Sequence, residues 1–207
     1  VTAVDIADEL LMLAAAKAAR EQLPLDTVCG DVERLPLEPE GFDAVIVVFG
    51  IFFLPDMRAA TERLWSLVRP GGQLAITTWG HDLWEPANSI WWDAVGSVRP
   101  ELVRAFNPWD SIVEPAGLTE LFESAGATTP TVHTAAAVHP LSSPDDFWRI
   151  VLGSGFRGTH DALTVDERTT VHRQVIDRLA ELDVRSISAN VMHAVARKPR
   201  ENAFAGT

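Results

Sequence analysis

The spacing of apolar residues over the first 30 positions predicts one strand, helix, strand unit. Residues 1–6 and 25–29 are short apolar runs typical of strands. The segment between them repeats apolar residues at the three- and four-residue spacing of one helix face, at Leu11, Ala14, Ala15 and Ala18. Asp8 stands where it could cap this helix, and the second run ends at Gly30-Asp31.

The next 40 residues predict the centre of a parallel sheet. Residues 42–49 are almost continuously apolar, which is the pattern of a strand covered by helices on both faces. Asp56 then begins a predicted helix, whose apolar stripe is Ala60, Leu64, Leu67 and Val68. The run Arg69-Pro70-Gly71-Gly72 ends that helix, and residues 73–79 form the next predicted strand.

In the second half of the chain, strand and helix patterns alternate less regularly. Residues 81–115, which are rich in tryptophan, and residues 140–163 predict two insertions on the substrate side. Residues 129–138 and 188–196 predict strands, and residues 166–182 predict a long amphipathic helix. Alternating strands and helices with short connections predict an α/β fold, a Rossmann-like doubly wound sheet with helical cap insertions.

Composition and charge narrow the class of function. The 207 residues are 47% apolar and 22% charged, which is typical of a globular domain. The formal net charge of −12 disfavours nucleic acid as a partner. Cys29 is the sole cysteine, which excludes an internal disulfide and favours the cytoplasm, and no apolar run is long enough to predict a membrane span.

Four runs, in this order and spacing, carry a family resemblance. They are VTAVDIADELL, CGDVERLPL, FDAVIVVFGIFFLPD and RPGGQLAITTWG. Together they resemble class I S-adenosylmethionine-dependent methyltransferases of the ubiquinone and menaquinone biosynthesis type (methyltransferase type 11-like). The resemblance is strong over residues 1–80 and weak beyond them. It implies methyl transfer from S-adenosyl-L-methionine to a small-molecule acceptor.

The resemblance also implies which residues hold the cofactor. Asp5 matches the acidic residue that accepts both ribose hydroxyls, and Asp31 matches the one that accepts from the adenine amino group. Ile6 and Val32 would then enclose the purine ring. Phe49 and Gly50 match the positions that line the methionine end of the cofactor.

The sequence departs from the family at its start. The first strand and the Gly-x-Gly-x-Gly loop that follows it in the family do not precede Val1. That strand lies in the middle of the family's sheet, so its absence would leave an unpaired edge. We therefore interpret residues 1–207 as one methyltransferase domain that is truncated at its N-terminus, or one whose missing strand another chain donates.

The sequence defines the residues that would contact the methyl acceptor less clearly than those that would hold the cofactor. His81 follows a predicted strand end and is the candidate general base, although methyl transfer needs no strong catalytic residue. Trp84, Arg157 and His160 lie in the predicted insertions and are candidate substrate contacts. The remaining histidines show no metal-ligand spacing, so we predict no metal. A homodimer is left open.

Two other readings compete with the methyltransferase. Asp5 would suit the adenosine ribose of an NAD-dependent oxidoreductase equally well. A non-catalytic scaffold that kept the methyltransferase fold would explain the missing glycine loop, although the intact pair Asp5 and Asp31 disfavours it.

Overall fold

The structure is a computed structural model that describes residues 1–103 and 107–200. Residues 104–106, which belong to the first predicted insertion, and residues 201–207 lie outside the described ranges. The strands are β1 (Thr2–Asp5), β2 (Asp26–Cys29), β3 (Phe42–Val48), β4 (Val68–Trp79), β5 (Thr131–Ala135), β6 (Val138–Pro140), β7 (Ser186–Ser188) and β8 (Val191–Arg197). The helices are α1 (Asp8–Arg20), α2 (Met57–Leu67), α3 (Ala87–Val98), α4 (Pro115–Ser124), α5 (Asp145–Gly153), α6 (Phe156–Ala162) and α7 (Val165–Glu181).

The strands form three hydrogen-bonded groups. The largest is a mixed sheet of order β3-β4-β8-β5, in which β3 and β4 are parallel and β8 is antiparallel to both of its neighbours. β1 and β2 form a separate parallel pair, and β6 and β7 form a small antiparallel pair. The predicted α/β class is confirmed, while the strand predicted at 129–138 is divided into β5 and β6.

Helices α2 and α4 cover one face of the four-stranded sheet. Leu64 from α2 and Phe122 from α4 are buried against the inward residues Leu74, Ile76 and Met192 of β4 and β8. Asp56 accepts a hydrogen bond from the backbone N–H of Ala59, so the predicted cap of α2 is confirmed. The cap predicted for α1 is wrong: Asp8 lies in its first turn, and Asp5 accepts the hydrogen bond from the N–H of Ala7.

The other face of this sheet is open in the described ranges, so the prediction of helices on both faces is wrong there. Ile46 and Val48 of β3 are 66% and 60% exposed. Val48 begins a row across the sheet that continues through Thr77, His193 and His133. The physical reason is that α1 packs against β1 and β2, which are not joined to β3.

The two predicted insertions pack together with α7 into a second apolar cluster. Trp91 of α3, Phe147 of α5 and Val175 of α7 are each fully buried in it. The second predicted insertion, residues 140–163, contains two helices, α5 and α6, separated at Ser154 and Gly155. This cluster adjoins the carboxyl end of β4 through Trp84, which contacts both Trp79 and Phe156.

Acid should loosen this second cluster, because carboxylates hold the beginnings of its helices. Glu167 accepts from the N–H of Thr164 at the start of α7, and this hydrogen bond holds the pKa of Glu167 below its usual value of about 4.3. Asp146 accepts from the N–H groups of Ser142 and Ser143, which lowers its pKa in the same way. A lowered pKa stabilises the fold above the unfolded-state value and loses that contribution as pH falls through the folded-state value.

We therefore expect the melting temperature to fall between about pH 5 and pH 3. Glu167→Gln, which can still accept from Thr164 but lacks the charge, should lower the melting temperature at pH 7 and reduce its further fall in acid. Glu120→Gln is the matched control, because Glu120 is exposed on α4 and has no hydrogen bond among the described residues. Thermal unfolding followed by circular dichroism at each pH checks this, and equal pH profiles for the two variants would contradict it.

Candidate cofactor and acceptor site

Asp5 and Asp31 lie at the carboxyl ends of the neighbouring strands β1 and β2. Asp5 is paired in register with Cys29, and Asp31 follows two residues later. One oxygen of each carboxylate accepts a local backbone N–H, from Ala7 at 2.9 Å and from Glu33 at 3.0 Å. These bonds fix the carboxylates and leave the second oxygen of Asp5 without a protein partner among the described residues.

Ile6 and Val32 follow the two carboxylates and differ in burial. Ile6 is 77% exposed, whereas Val32 is half-buried against the core of the larger sheet. An exposed isoleucine beside a partly free carboxylate offers an apolar surface next to a hydrogen-bond acceptor. This pairing suits an adenosine, which has a flat apolar face and hydroxyl donors.

Phe49 and Gly50 leave the carboxyl end of β3 in an unusual backbone geometry. Phe49 has φ +51°, a left-handed conformation that is rare for a bulky side chain. Its ring stacks on Trp79, with centroids 4.0 Å apart and planes 22° apart. Gly50 then leads into a short turn in which Ile51 and Phe52 are buried.

His81 and Trp84 lie in the loop after β4. Nδ1 of His81 is 2.7 Å from Oδ2 of Asp82, and both side chains are about half exposed or more. In the tautomer in which Nδ1 donates to Oδ2 of Asp82, Nε2 of His81 is a hydrogen-bond acceptor. Trp84 contacts Trp79 on one side and Phe156 of α6 on the other.

Arg157 and His160 are neighbours on α6 and share one carboxylate. Arg157 Nε and His160 Nδ1 both lie 2.9 Å from Asp161, and these hydrogen bonds lower the pKa of Asp161. The His160 ring also packs edge-on against Trp148. The structure therefore brings these two residues together, but their polar groups already have a protein partner.

Sequence reasoning missed three residues of this region. The sequence predicts Trp79 only as the end of a strand, and the predicted site includes neither Asp82 nor Asn190. The side chain of Asn190 donates to the backbone carbonyl of His81 and accepts from the N–H of Ala137. The backbone carbonyl of Asn190 accepts from the N–H of Gly80. The adjacent letters His-Asp after a strand were a usable signal, whereas nothing local marks Asn190.

The two halves of the site lie on strands that no hydrogen bond joins. β1 pairs only with β2, and β3 pairs only with β4 within residues 1–103 and 107–200. β1 and β3 each therefore present one unpaired edge, and both are flanked by exposed apolar side chains such as Ile6 and Ile46. The unpaired edge predicted from the sequence is observed.

The comparisons with known proteins show which proteins this chain is similar to. A family model described as "Methyltransferase domain" matches residues 1–76. The demethylmenaquinone methyltransferase of Streptomyces avermitilis is 31% identical over 94 residues, 45% of this chain and 40% of that protein. The ubiquinone biosynthesis O-methyltransferase of Coxiella burnetii is 26% identical over 153 residues, 73% of this chain and 63% of that protein.

A solved structure shares the fold. It is the phosphoethanolamine N-methyltransferase 2 of Haemonchus contortus in complex with S-adenosyl-L-methionine, with a TM-score of 0.52 and 16% identity over 96% of this chain and 43% of that one. The fold is that of the class I methyltransferases. The matches of the sequence to a methyltransferase domain and to the two quinone-biosynthesis methyltransferases confirm the resemblance that the sequence motifs indicate.

The chain spans less than two thirds of the length of each of these two curated relatives. Within the described ranges, no helix combines the length and the apolar character that crossing a membrane requires.

Proposed function

We propose that this chain transfers a methyl group from S-adenosyl-L-methionine to a small-molecule acceptor. The observation that carries the proposal is the pair Asp5 and Asp31, which the fold places at the ends of adjacent strands beside the exposed Ile6. The match of residues 1–76 to a methyltransferase domain supports it independently.

The residues of this chain fit the cofactor by their chemistry. Asp5 would accept from the two ribose hydroxyls, and Asp31 would accept from the adenine amino group. Ile6 and Val32 would give the purine ring apolar surfaces, and Phe49 and Gly50 would line the methionine end. When bound, the cofactor supplies a methyl carbon that is already activated by a positively charged sulfur.

Beyond holding the cofactor, the chain mainly has to align the acceptor and exclude water. Trp84, at the junction between the sheet and the second cluster, is placed to cover an acceptor at the carboxyl ends of β3 and β4. His81 is the base we assign to an acceptor that must lose a proton. Arg157 and His160 remain proposed substrate contacts from α6, the second insertion.

We also propose that one additional strand completes the cofactor site between β1 and β3. β1 and β3 each have an unpaired edge with exposed apolar neighbours, and a strand between them would satisfy both sets of backbone groups. A glycine-rich turn after this strand would let the backbone approach the methionine end of the cofactor. If a second copy of the chain covered the open face of the four-stranded sheet, the protein would be a homodimer.

Calorimetric titration tests the activity class and the completing strand together. We expect S-adenosylhomocysteine to bind and NAD not to bind, with tighter binding in a natural form that carries the additional strand. Selective binding of NAD would favour the oxidoreductase, and binding of neither ligand by either form would favour a scaffold. Light scattering on the same samples distinguishes a monomer from a homodimer.

The cytoplasm is the proposed location. Cys29 is a free and exposed thiol, a state that persists in a reducing compartment. Fractionation of cells that produce the protein at its natural level checks this, and recovery from an oxidising compartment would contradict it.

A further inference from the structure

Two histidines stand opposite each other on the open face of the four-stranded sheet. His133 of β5 is paired in register with His193 of β8, and the two strands are antiparallel. Side chains at directly opposed positions of such strands share one face, with Cβ atoms about 4.5–5.5 Å apart. The two residues are distant in sequence, so spacing along the chain does not reveal the pair and only the pairing of β5 with β8 brings the imidazoles together.

Both imidazoles are accessible from solvent. His133 and His193 are exposed, and they end the row across the open face that begins at Val48. The formal net charge of −12 favours the approach of a cation over that of an anion. A metal ion therefore has a path to both rings.

Thr77 of β4 orients one of the two rings. Its hydroxyl oxygen Oγ1 lies 3.0 Å from Nδ1 of His193. A histidine that binds a metal through one ring nitrogen commonly donates the proton of its other nitrogen to such a partner. In the tautomer in which Nδ1 donates to Thr77, Nε2 of His193 carries the lone pair that a metal requires.

The number of ligands defines the kind of site. Within residues 1–103 and 107–200, no group of three or more histidine, cysteine, aspartate or glutamate side chains is placed to hold a metal ion. The histidine pair is therefore an open site with two protein ligands, and its remaining positions are left for water or an outside ligand.

The chemistry of the ligands defines the class of metal. Imidazole nitrogens suit Zn²⁺, Ni²⁺ and Cu²⁺, whereas Mg²⁺ and Ca²⁺ take oxygen ligands. A tetrahedral zinc ion holds each nitrogen at about 2.0–2.1 Å, which brings two nitrogens to roughly 3.3 Å from each other. Imidazoles on Cβ atoms about 5 Å apart can meet this distance by rotation about their side-chain bonds.

We infer that His133 and His193 bind a divalent transition-metal ion of the Zn²⁺ class on the open face of the sheet, with Thr77 as the residue that orients His193. None of these residues is among those proposed to hold the cofactor or the acceptor, so the inference does not rest on methyl transfer. The bound ion would join β5, at the end of the sheet, to β8, because each strand supplies one ligand.

Calorimetric titration with Zn²⁺ and with Mg²⁺, on the chain without a histidine tag, tests the site. We expect Zn²⁺ to bind and Mg²⁺ not to bind. His133→Gln and His193→Gln should each weaken Zn²⁺ binding about 100-fold, because the remaining imidazole loses its intramolecular partner ligand. His139→Gln is the matched control, since His139 is an exposed histidine on β6 whose cross-strand partner is Ile187.

Two calorimetric results would overturn the inference. The first is a parent protein that does not bind Zn²⁺. The second is a Zn²⁺ affinity that is the same in His133→Gln, His193→Gln and His139→Gln, because the ion would then be held elsewhere on the acidic surface.

The melting temperature gives an independent test. The unfolded chain does not hold the two histidines together, so Zn²⁺ should bind the folded state and raise the melting temperature of the parent protein. We expect this rise to be lost in His133→Gln and kept in His139→Gln, each compared with its own metal-free melting temperature. An equal rise in both variants would contradict the site.

Thr77→Val tests the orientation of His193. Valine keeps the shape of the side chain but removes the hydroxyl, so Zn²⁺ binding should weaken about tenfold. The metal-free melting temperature of this variant shows whether the sheet is intact. An unchanged Zn²⁺ affinity in a folded Thr77→Val protein would contradict the role assigned to Thr77.

Discussion

Asp5→Asn and Asp31→Asn should each weaken S-adenosylhomocysteine binding by about 30-fold. Each substitution removes a charge-assisted hydrogen bond of about 2 kcal/mol. Asparagine can still accept the local N–H, from Ala7 at position 5 and from Glu33 at position 31, so the strand ends should keep their geometry. Calorimetric titration of a form that binds the parent ligand measures the effect.

Two controls separate the role of each carboxylate from a general loss of structure. Asp26→Asn removes an exposed carboxylate at the amino end of β2, away from the site, and should leave affinity unchanged. S-Inosylhomocysteine, which has a carbonyl in place of the adenine amino group, should bind Asp31→Asn at least as tightly as the parent protein, because asparagine can donate to this carbonyl, while Asp5→Asn weakens both ligands. A loss at Asp31 that is the same for both ligands would contradict its assignment to the adenine.

Local signals in the sequence were sufficient to predict the main elements of the fold. Asp56 at the start of α2 and the inward stripe of Val171, Val175 and Leu179 on α7 were predictable because caps and helix faces depend on nearby residues. The open face at Ile46 and Val48 was not predictable, because the apolar sequence pattern of a strand is the same whether or not a helix covers both of its faces.

In the candidate site, too, residues in local motifs were predictable and contacts between distant residues were not. Asp5 and Asp31 stand in motifs that can be read along the chain, and the structure places them on neighbouring strands. The stacking of Phe49 on Trp79, and the clamp from Asn190 to His81, join residues that are distant in sequence. Such contacts follow from the order β3-β4-β8, which no single segment encodes.

Phe122→Ala should lower the free energy of unfolding by about 3–5 kcal/mol and the melting temperature by about 10 °C. Phe122 is fully buried where α4 packs on the four-stranded sheet, so the truncation leaves a cavity that rigid strands cannot close. Phe53→Ala removes the same ring from a side chain that is 75% exposed and should change stability little. Urea unfolding of both variants measures the difference.

Phe147→Ala extends this comparison to the second cluster, in which Phe147 is also fully buried. Trp84 contacts both Trp79 of the four-stranded sheet and Phe156 of the second cluster, so we expect the two clusters to unfold in one transition. Phe122→Ala and Phe147→Ala should then each shift the same urea midpoint by similar amounts. Two separate transitions, each sensitive to only one variant, would show that the second cluster unfolds independently and that the contacts of Trp84 do not couple it to the sheet.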